Sequence, residues 1–266
     1  MGAFDGFDLS GRVAVITGGG SGIGQATSTL LAEAGARIVA ADLNGPAAEA
    51  TAASIRGAGG EAMAVAADVT ARAEVEGLVS GAVERFGKID IMCNIAGAMF
   101  PGLIEDLDDD VIERGIGLNL KGVLYGTQYA IRAMKQTGGG SIVNVSSAAI
   151  DKPYAGIGVY AFTKAAVAML SMTAAVEAGP YGIRVNAIAP GTTETPFTTW
   201  RLQNADGSMN QEAYDSFLAA QRAMSPLALT GRASDQAQLI LYLVSDAARF
   251  ATGNIFRVNG GQCMPW

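Results

Sequence analysis

The sequence predicts one α/β domain: a doubly wound, mostly parallel sheet with helices on both faces. Three observations carry this expectation. Short runs rich in β-branched residues alternate with longer helical stretches from Arg12 to Val258. Those runs are apolar throughout rather than at every second residue, as strands are when helices cover both faces of a parallel sheet. No Pro/Ser-rich linker, charge block or repeat divides the 266 residues, a length that suits a single sheet.

The elements follow in order. Arg12–Thr17 is an apolar run that ends at glycines and reads as the first strand. Gly22–Ala34 is a helix closed by Gly35, and Arg37–Ala41 a second strand. Ala47–Arg56 is helical and ends in Gly57-Ala58-Gly59-Gly60; Glu61–Ala66 is the third strand. Arg72–Phe86 is a helix stopped by Gly87, followed by strand Ile89–Asn94. Asp109–Lys135 reads as one long helix broken by Gly138-Gly139-Gly140, before strand Ser141–Ser146. Tyr160–Ala178 is a helix ended by Gly179-Pro180, and Arg184–Ala189 the sixth strand. Residues 195–225 are polar and aromatic without a clean period and read as an inserted lid. Ser234–Ser245 is the last helix and Ile255–Val258 the last strand. Parallel strands joined this way need right-handed crossovers.

Composition excludes several classes. Acidic residues outnumber basic ones 25 to 18, and no basic run appears, which argues against nucleic acid and against an anionic membrane surface. No apolar stretch is seen that approaches the ~18–20 residues of a membrane span. Met1–Gly6 lacks the basic start and apolar core of a signal peptide, so a cytoplasmic location is expected. Two cysteines, Cys93 and Cys263, make no disulfide framework, and Cys93 reads as a core thiol. There is no histidine, which removes Ser-His-Asp and Cys-His catalysis and most zinc sites. No metal is expected. Any proton-transferring base must be Tyr, Lys, Asp, Glu or Cys.

Between the first strand and the first helix lies Thr17-Gly18-Gly19-Gly20-Ser21-Gly22-Ile23-Gly24. Glycines let backbone N–H groups approach a phosphate, and the helix N-terminus adds partial positive charge. The spacing Gly18-x-x-x-Gly22-x-Gly24 is not G-x-G-x-x-G, and read alone the loop is equally a glycine turn. A P-loop is excluded, since Gly87-Lys88 is followed by Ile89. Asp42 ends the second strand, where a carboxylate can hold an adenosine ribose and repel a 2′-phosphate. Neither neighbour, Ala41 nor Leu43, is basic. Without the upstream loop, Asp42 reads first as a helix-capping or turn residue.

Tyr160 and Lys164 stand four apart near a helix start, on one face. A nearby ammonium favours the phenolate, which makes Tyr160 a usable acid/base. Ser147 lies at the C-terminal end of the fifth strand, where such sheets bind ligands, with Ser146 competing for its role.

Taken together these segments resemble the short-chain dehydrogenase/reductase family, a Rossmann-type fold, in its single-domain form. The resemblance runs from about Leu9 to Gly261 and also rests on Asp68-Val69, Asn94-Ile95-Ala96-Gly97, Asn119 in Asn119-Leu120-Lys121-Gly122, and Pro190-Gly191. It implies that Ser147, Tyr160, Lys164 and Asn119 are catalytic, with Asn119 supporting a water that links Lys164 to solvent. It implies cofactor contacts from Gly18, Gly20, Ser21, Gly22, Ile23, Gly24, Asp42 and Leu43. Asp68 and Val69 would meet the adenine, and Ala96 and Gly97 would let the cofactor lie close. Asn94 would hold the fourth strand. Tyr160, Lys164, Pro190, Gly191, Thr193 and Thr195 would surround the nicotinamide end. Two residues depart from the family pattern: Thr193 stands where Ile or Val is common, and Asn259 replaces a common Asp.

The resulting expectation is an NAD-dependent oxidoreductase acting on a secondary alcohol or ketone, NADP being disfavoured by Asp42. Two other readings stay open: an NADPH-dependent 3-oxoacyl thioester (acyl carrier protein) reductase, and a dinucleotide-binding sensor without turnover. The low charge fraction, 16%, and the apolar tail Cys263-Met264-Pro265-Trp266 point to a homo-oligomer, and the resemblance implies a tetramer. Pairing of the Asp109–Lys135 helices would bury their apolar stripes. The partners expected are a small molecule and a second copy of the chain.

Overall fold

A computed structural model of the chain describes all residues except Met1, Ala3, Ala205 and Trp266. The tail residue Trp266 therefore lies outside the described residues. One sheet organises the molecule. Its seven strands run in the order β3-β2-β1-β4-β5-β6-β9, and every paired neighbour is parallel. They are β1 Val13–Thr17, β2 Arg37–Asp42, β3 Ala62–Ala66, β4 Ile91–Asn94, β5 Gly140–Val145, β6 Ile183–Ile188 and β9 Ile255–Phe256.

Alternation along the strands explains why the runs are apolar on every residue. Val13 and Val15 enter a core with Val75 and Leu78 of α3 (Arg72–Phe86) and Ala130 and Met134 of α5 (Gly122–Met134). Ala14 and Ile16 point the other way. They pack with Leu31 of α1 (Gly22–Glu33), Ile55 of α2 (Gly45–Gly57) and Ile240 of α9 (Ala233–Val244). Cys93 is buried in this second core, and burial pushes its thiol up to about 12, so it is an inert packing residue.

The predicted element types hold, with ends moved by at most two residues, as expected at frayed termini. Three differences matter. The stretch 109–135 is not one regular helix: α4 (Asp109–Ile116) passes through a π-turn, Gly117–Lys121, into α5. The lid is also more ordered than its composition suggested. It contains α7 (Pro196–Thr199), a 3-10 turn at Trp200–Leu202 and a 13-residue helix α8 (Gln211–Ala223) capped by Asn210. A small parallel pair, β7 (Thr193–Glu194) and β8 (Gly231–Arg232), closes its base.

The third difference corrects the expectation that no span-length apolar stretch exists. Helix α6 (Gly158–Ala178) and the turn after it give a 24-residue stretch, Gly158–Tyr181, containing an 18-residue window of mean hydropathy 1.5, long and apolar enough to cross a membrane by length and composition. Half of that window is buried inside this fold. Val159, Val167, Ala174 and Ala178 face the protein interior, which accounts for much of the apolar character.

Candidate active site

The strand order reverses between β1 and β4, so the crossovers after them leave in opposite directions and open a crevice at the strand C-terminal ends. A cavity of about 700 Å³ fills it. The loop after β1 forms its floor. Gly18 has a positive φ of 69°, and a Cβ there would stand 3.0 Å from the Ala96 nitrogen. At Gly24 a Cβ would collide with the Gly18 carbonyl oxygen. These two glycines bring the β1–α1 loop, the start of α1 and the β4 loop into contact. Thr17 ties them further: its hydroxyl oxygen accepts from the Ile95 and Ala96 nitrogens at 3.1 and 3.3 Å.

Ser21 precedes α1 in extended conformation, and its side chain does not cap the helix. The first N–H groups of α1 therefore face the cavity without a side-chain acceptor, as an anion site requires. Asp42 lines the same cavity. Its two carboxylate oxygens accept from the Gly20 nitrogen at 3.0 Å and the Asn44 nitrogen at 2.9 Å. Its turn role and its position in the cavity are therefore both real. Leu43, Asp68 and Val69 continue the wall.

At the centre, α6 carries Tyr160 and Lys164 one turn apart, both buried, with exposures of 8% and 2%. Ser147, whose Oγ accepts from the Ala149 nitrogen at 3.1 Å, stands beside Tyr160 and pulls its pKa down, but burial outweighs this and holds the phenol above its usual value of 10. The spacing had suggested a phenol acidified by Lys164; instead desolvation dominates, and Ser147 supplies the opposing pull. The Lys164 ammonium donates to the Val145 carbonyl at 2.8 Å, and burial lowers its pKa to about 8. Ser146 is committed elsewhere, donating to the Lys164 carbonyl at 2.8 Å, so Ser147 is the hydroxyl that meets Tyr160. The Phe197 ring of the lid lies 5.8 Å from the Tyr160 ring.

Asn119 sits fully buried in the π-turn. Its side chain is closed on one residue: Oδ1 accepts from the Ala98 nitrogen and Nδ2 donates to the Ala98 carbonyl, each at 2.9 Å. A side chain at Gly97 would start 2.9 Å from Asn119 Oδ1 and 3.3 Å from Lys164 Nζ, so the three residues are packed together.

Ser21, Gly22, Ile23, Ala96, Gly97, Pro190, Gly191, Thr193 and Thr195 line the cavity. Three predicted residues stand behind it. Gly20 spends its N–H on Asp42. Asn119 is held by Ala98. Asn94 lies in the core, where its Nδ2 donates to Asn144 Oδ1 at 2.8 Å, and Asn144 in turn donates to Ser171 at 3.0 Å. That polar chain ties β4, β5 and α6 together, and Asn144 and Ser171 were not singled out beforehand. An Asn inside the apolar run Ile142–Val145 was the available signal, because a buried amide needs partners. Thr193 donates to the Gly191 carbonyl at 3.1 Å, and Asn259 fixes the C-terminal turn through Gly261 and Cys263. Both departures from the family pattern thus serve local backbone contacts.

A switch-point crevice, a glycine floor and buried Ser147, Tyr160 and Lys164 thus meet at the C-terminal ends of the strands. A family profile described as short chain dehydrogenase matches residues 12–206, and the chain belongs to the short-chain dehydrogenase/reductase family. Two curated relatives are each 38% identical. They are a 3beta-hydroxysteroid dehydrogenase 2 of Eggerthella lenta, aligned over 95% of both chains, and a cis-4-hydroxycyclohexanecarboxylate dehydrogenase of Sinomonas cyclohexanicum, over 94% of this chain and 96% of its own. The fold superposes with a TM-score of 0.89 on a 7 alpha-hydroxysteroid dehydrogenase complexed with NADH and 7-oxo glycochenodeoxycholic acid, at 31% identity over 98% of each chain. The protein is an oxidoreductase acting on CH–OH groups.

Proposed function

We propose that the protein is an NAD-dependent dehydrogenase of cyclic secondary alcohols and the matching ketones, with Tyr160 as the proton-transferring group. The observation that carries this reading is the meeting of buried Tyr160, Ser147 and Lys164 in the wall of one cavity. The cyclic substrate class is supported by the relatives' names.

The cavity suits a dinucleotide. Its glycine floor leaves no room for a Cβ, and the α1 N-terminus presents uncapped N–H groups. The segment Gly18–Gly24 would hold the pyrophosphate, Asp42 and Leu43 the adenosine ribose, and Asp68 and Val69 the adenine. Ala96, Gly97, Pro190, Gly191, Thr193 and Thr195 would bound the nicotinamide end. Asp42 has no basic neighbour at 41 or 43 and would repel a 2′-phosphate, which favours NAD over NADP and argues against the NADPH-dependent thioester reductase.

When bound, the nicotinamide supplies the hydride acceptor or donor. The chain's residues do the rest. Ser147 holds the substrate oxygen beside Tyr160. In oxidation the Tyr160 phenolate takes the alcohol proton, and in reduction the neutral phenol returns it. Lys164 carries positive charge toward the phenolate and binds the nicotinamide ribose. Asn119 keeps the Ala98 loop and Lys164 in place for proton exchange with solvent. A sensor without turnover has no use for all four residues. The test is NADH absorbance on mixing the protein with NAD⁺ and cyclic secondary alcohols, with NADP⁺ in parallel. Turnover with NAD⁺ supports the reading; equal or faster turnover with NADP⁺ refutes its cofactor half.

A further inference from the structure

We infer that Arg201 forms an anion-recognising subsite at the lid end of the cavity. The preferred substrate is then a secondary alcohol or ketone whose apolar body carries a carboxylate away from the reacting carbon. This inference rests on the oxidoreductase reading of the same cavity.

The cavity is charged asymmetrically. Asp42 and Asp68 follow β2 and β3, on one side of the switch point. The lid follows β6, on the other side, and contributes no carboxylate to the lining. It contributes Arg201, the one arginine in that lining. Arg201 forms no ion pair among the described residues. Its guanidinium carbon lies 5.0 Å from the centre of the Trp200 ring. A ring at that distance attracts and restrains the guanidinium of the exposed Arg201, so less order remains to be imposed when a ligand binds.

A second unpartnered donor faces the same wall. Gln221 on α8 accepts from the Thr192 hydroxyl at 2.5 Å through Oε1, while its Nε2 has no partner among the described residues. The lid end therefore offers donors without matching acceptors, on a chain of net charge −7. A free cation at a cavity mouth in so acidic a protein attracts one kind of ligand group, an anion. A guanidinium suits a monoanionic carboxylate, whose two oxygens accept from its planar fork, and the Gln221 amide lines the same cavity. Phe197, Trp200, Leu202 and Phe217 make the surrounding wall apolar, which suits a hydrocarbon body between the reacting carbon and the carboxylate.

The experiment separates binding from catalysis. The NADH-saturated protein is titrated by calorimetry with cyclohexanecarboxylate and with cyclohexanecarboxamide, which share a body and carry no reacting hydroxyl. The carboxylate is expected to bind about tenfold more tightly, by an amount that shrinks with added salt. In Arg201→Gln the two affinities should converge to within about twofold, and Arg201→Lys should keep part of the preference. Equal affinities in the unmodified protein, or a preference that survives Arg201→Gln, overturns the subsite. In a second arm, 4-hydroxycyclohexanecarboxylate is offered with NAD⁺. A carboxylate preference without turnover would support the subsite and count against the cyclic-alcohol reading, so the two ideas fail separately.

Discussion

The buried ammonium of Lys164 donates to the Val145 carbonyl at 2.8 Å, and no salt bridge accompanies it among the described residues. A charge kept in the core by one carbonyl is held at the expense of stability. In the unfolded chain this amine titrates at 10.5; folding lowers it to about 8. Between those values the unfolded state holds the extra proton, so stability rises with pH across that window. Below about pH 8 the buried charge is a full cost, of about 3 kcal/mol from the size of the shift.

Lys164→Met follows from this. The thioether fills the same apolar volume without the charge, but it leaves the Val145 carbonyl unpaired. The net gain at pH 7 should be on the order of 1 kcal/mol, a rise in Tm of ~2–4 °C. The gain should vanish near pH 9 and turn into a loss of about 2 kcal/mol by pH 10.5, where the buried amine of the unmodified protein is neutral, and turnover should be lost at every pH. Thermal melts at pH 7 and pH 10.5 check it. An unchanged or lower Tm at pH 7 contradicts the cost assigned to this charge.

Cofactor choice turns on Asp42, whose carboxylate is oriented by the Gly20 and Asn44 nitrogens. A carboxylate fixed in this way cannot swing away from a 2′-phosphate. The unmodified protein should prefer NAD(H) by roughly tenfold to a few hundredfold in affinity, and Asp42→Ala should narrow that gap. Titration of both proteins with NADH and NADPH measures it. A gap unchanged by the substitution would remove Asp42 from the account.

Gly24→Ala tests the cradle. The added methyl meets the Gly18 carbonyl oxygen, backbone against side-chain root, so no rotamer relieves it. The β1–α1 loop must open, and NADH affinity should fall at least about tenfold with a stability loss of ~1–3 kcal/mol. Full NADH affinity in this variant would show that the loop does not hold the dinucleotide.

Much of this architecture was legible because strand periodicity and helix stops are local signals. The run Val13–Thr17 followed by glycines, and the Gly87 stop after Phe86, each announce an element within a few residues. The Tyr160/Lys164 pair was legible for the same reason, since four residues on a helix fix a shared face. What stayed hidden depends on distant contacts. Asp42 could not reveal its Gly20 bond, nor Asn119 its closure on Ala98, without the fold that brings those backbones close. Nor does spacing report solvent, which is why the effect of burial on Tyr160 ran against the expected direction. Helix α8 was missed because it carries few buried residues: Leu218 alone is fully buried, so the apolar stripe is thin.

Self-association is expected from α6. Phe162, Met169 and Val176 recur every seven residues and are 45%, 59% and 79% exposed, a stripe on the helix face turned away from the core. A homo-oligomer, with a tetramer as the expected size, would cover it. Light scattering should report that species at micromolar concentration, and Met169→Glu with Val176→Glu should shift it to smaller ones. A monomeric unmodified protein contradicts this.

Tyr160→Phe bears most directly on the proton-transfer account. The substitution keeps the ring beside Phe197 and removes only the hydroxyl that stands near Ser147. In the free protein that hydroxyl is a neutral phenol at pH 7, since burial holds its pKa above 10. Ketone reduction, which needs the acid, should therefore run at neutral pH and fall as pH rises; alcohol oxidation, which needs the phenolate, should climb toward alkaline pH. The decisive measurement is the pair of pH–rate profiles for the unmodified protein and Tyr160→Phe, with an NADH titration of each. The account predicts opposite slopes for the two directions, a drop in turnover of ~10²–10⁴ in the variant, and unchanged NADH affinity. Near-normal turnover by Tyr160→Phe would contradict it.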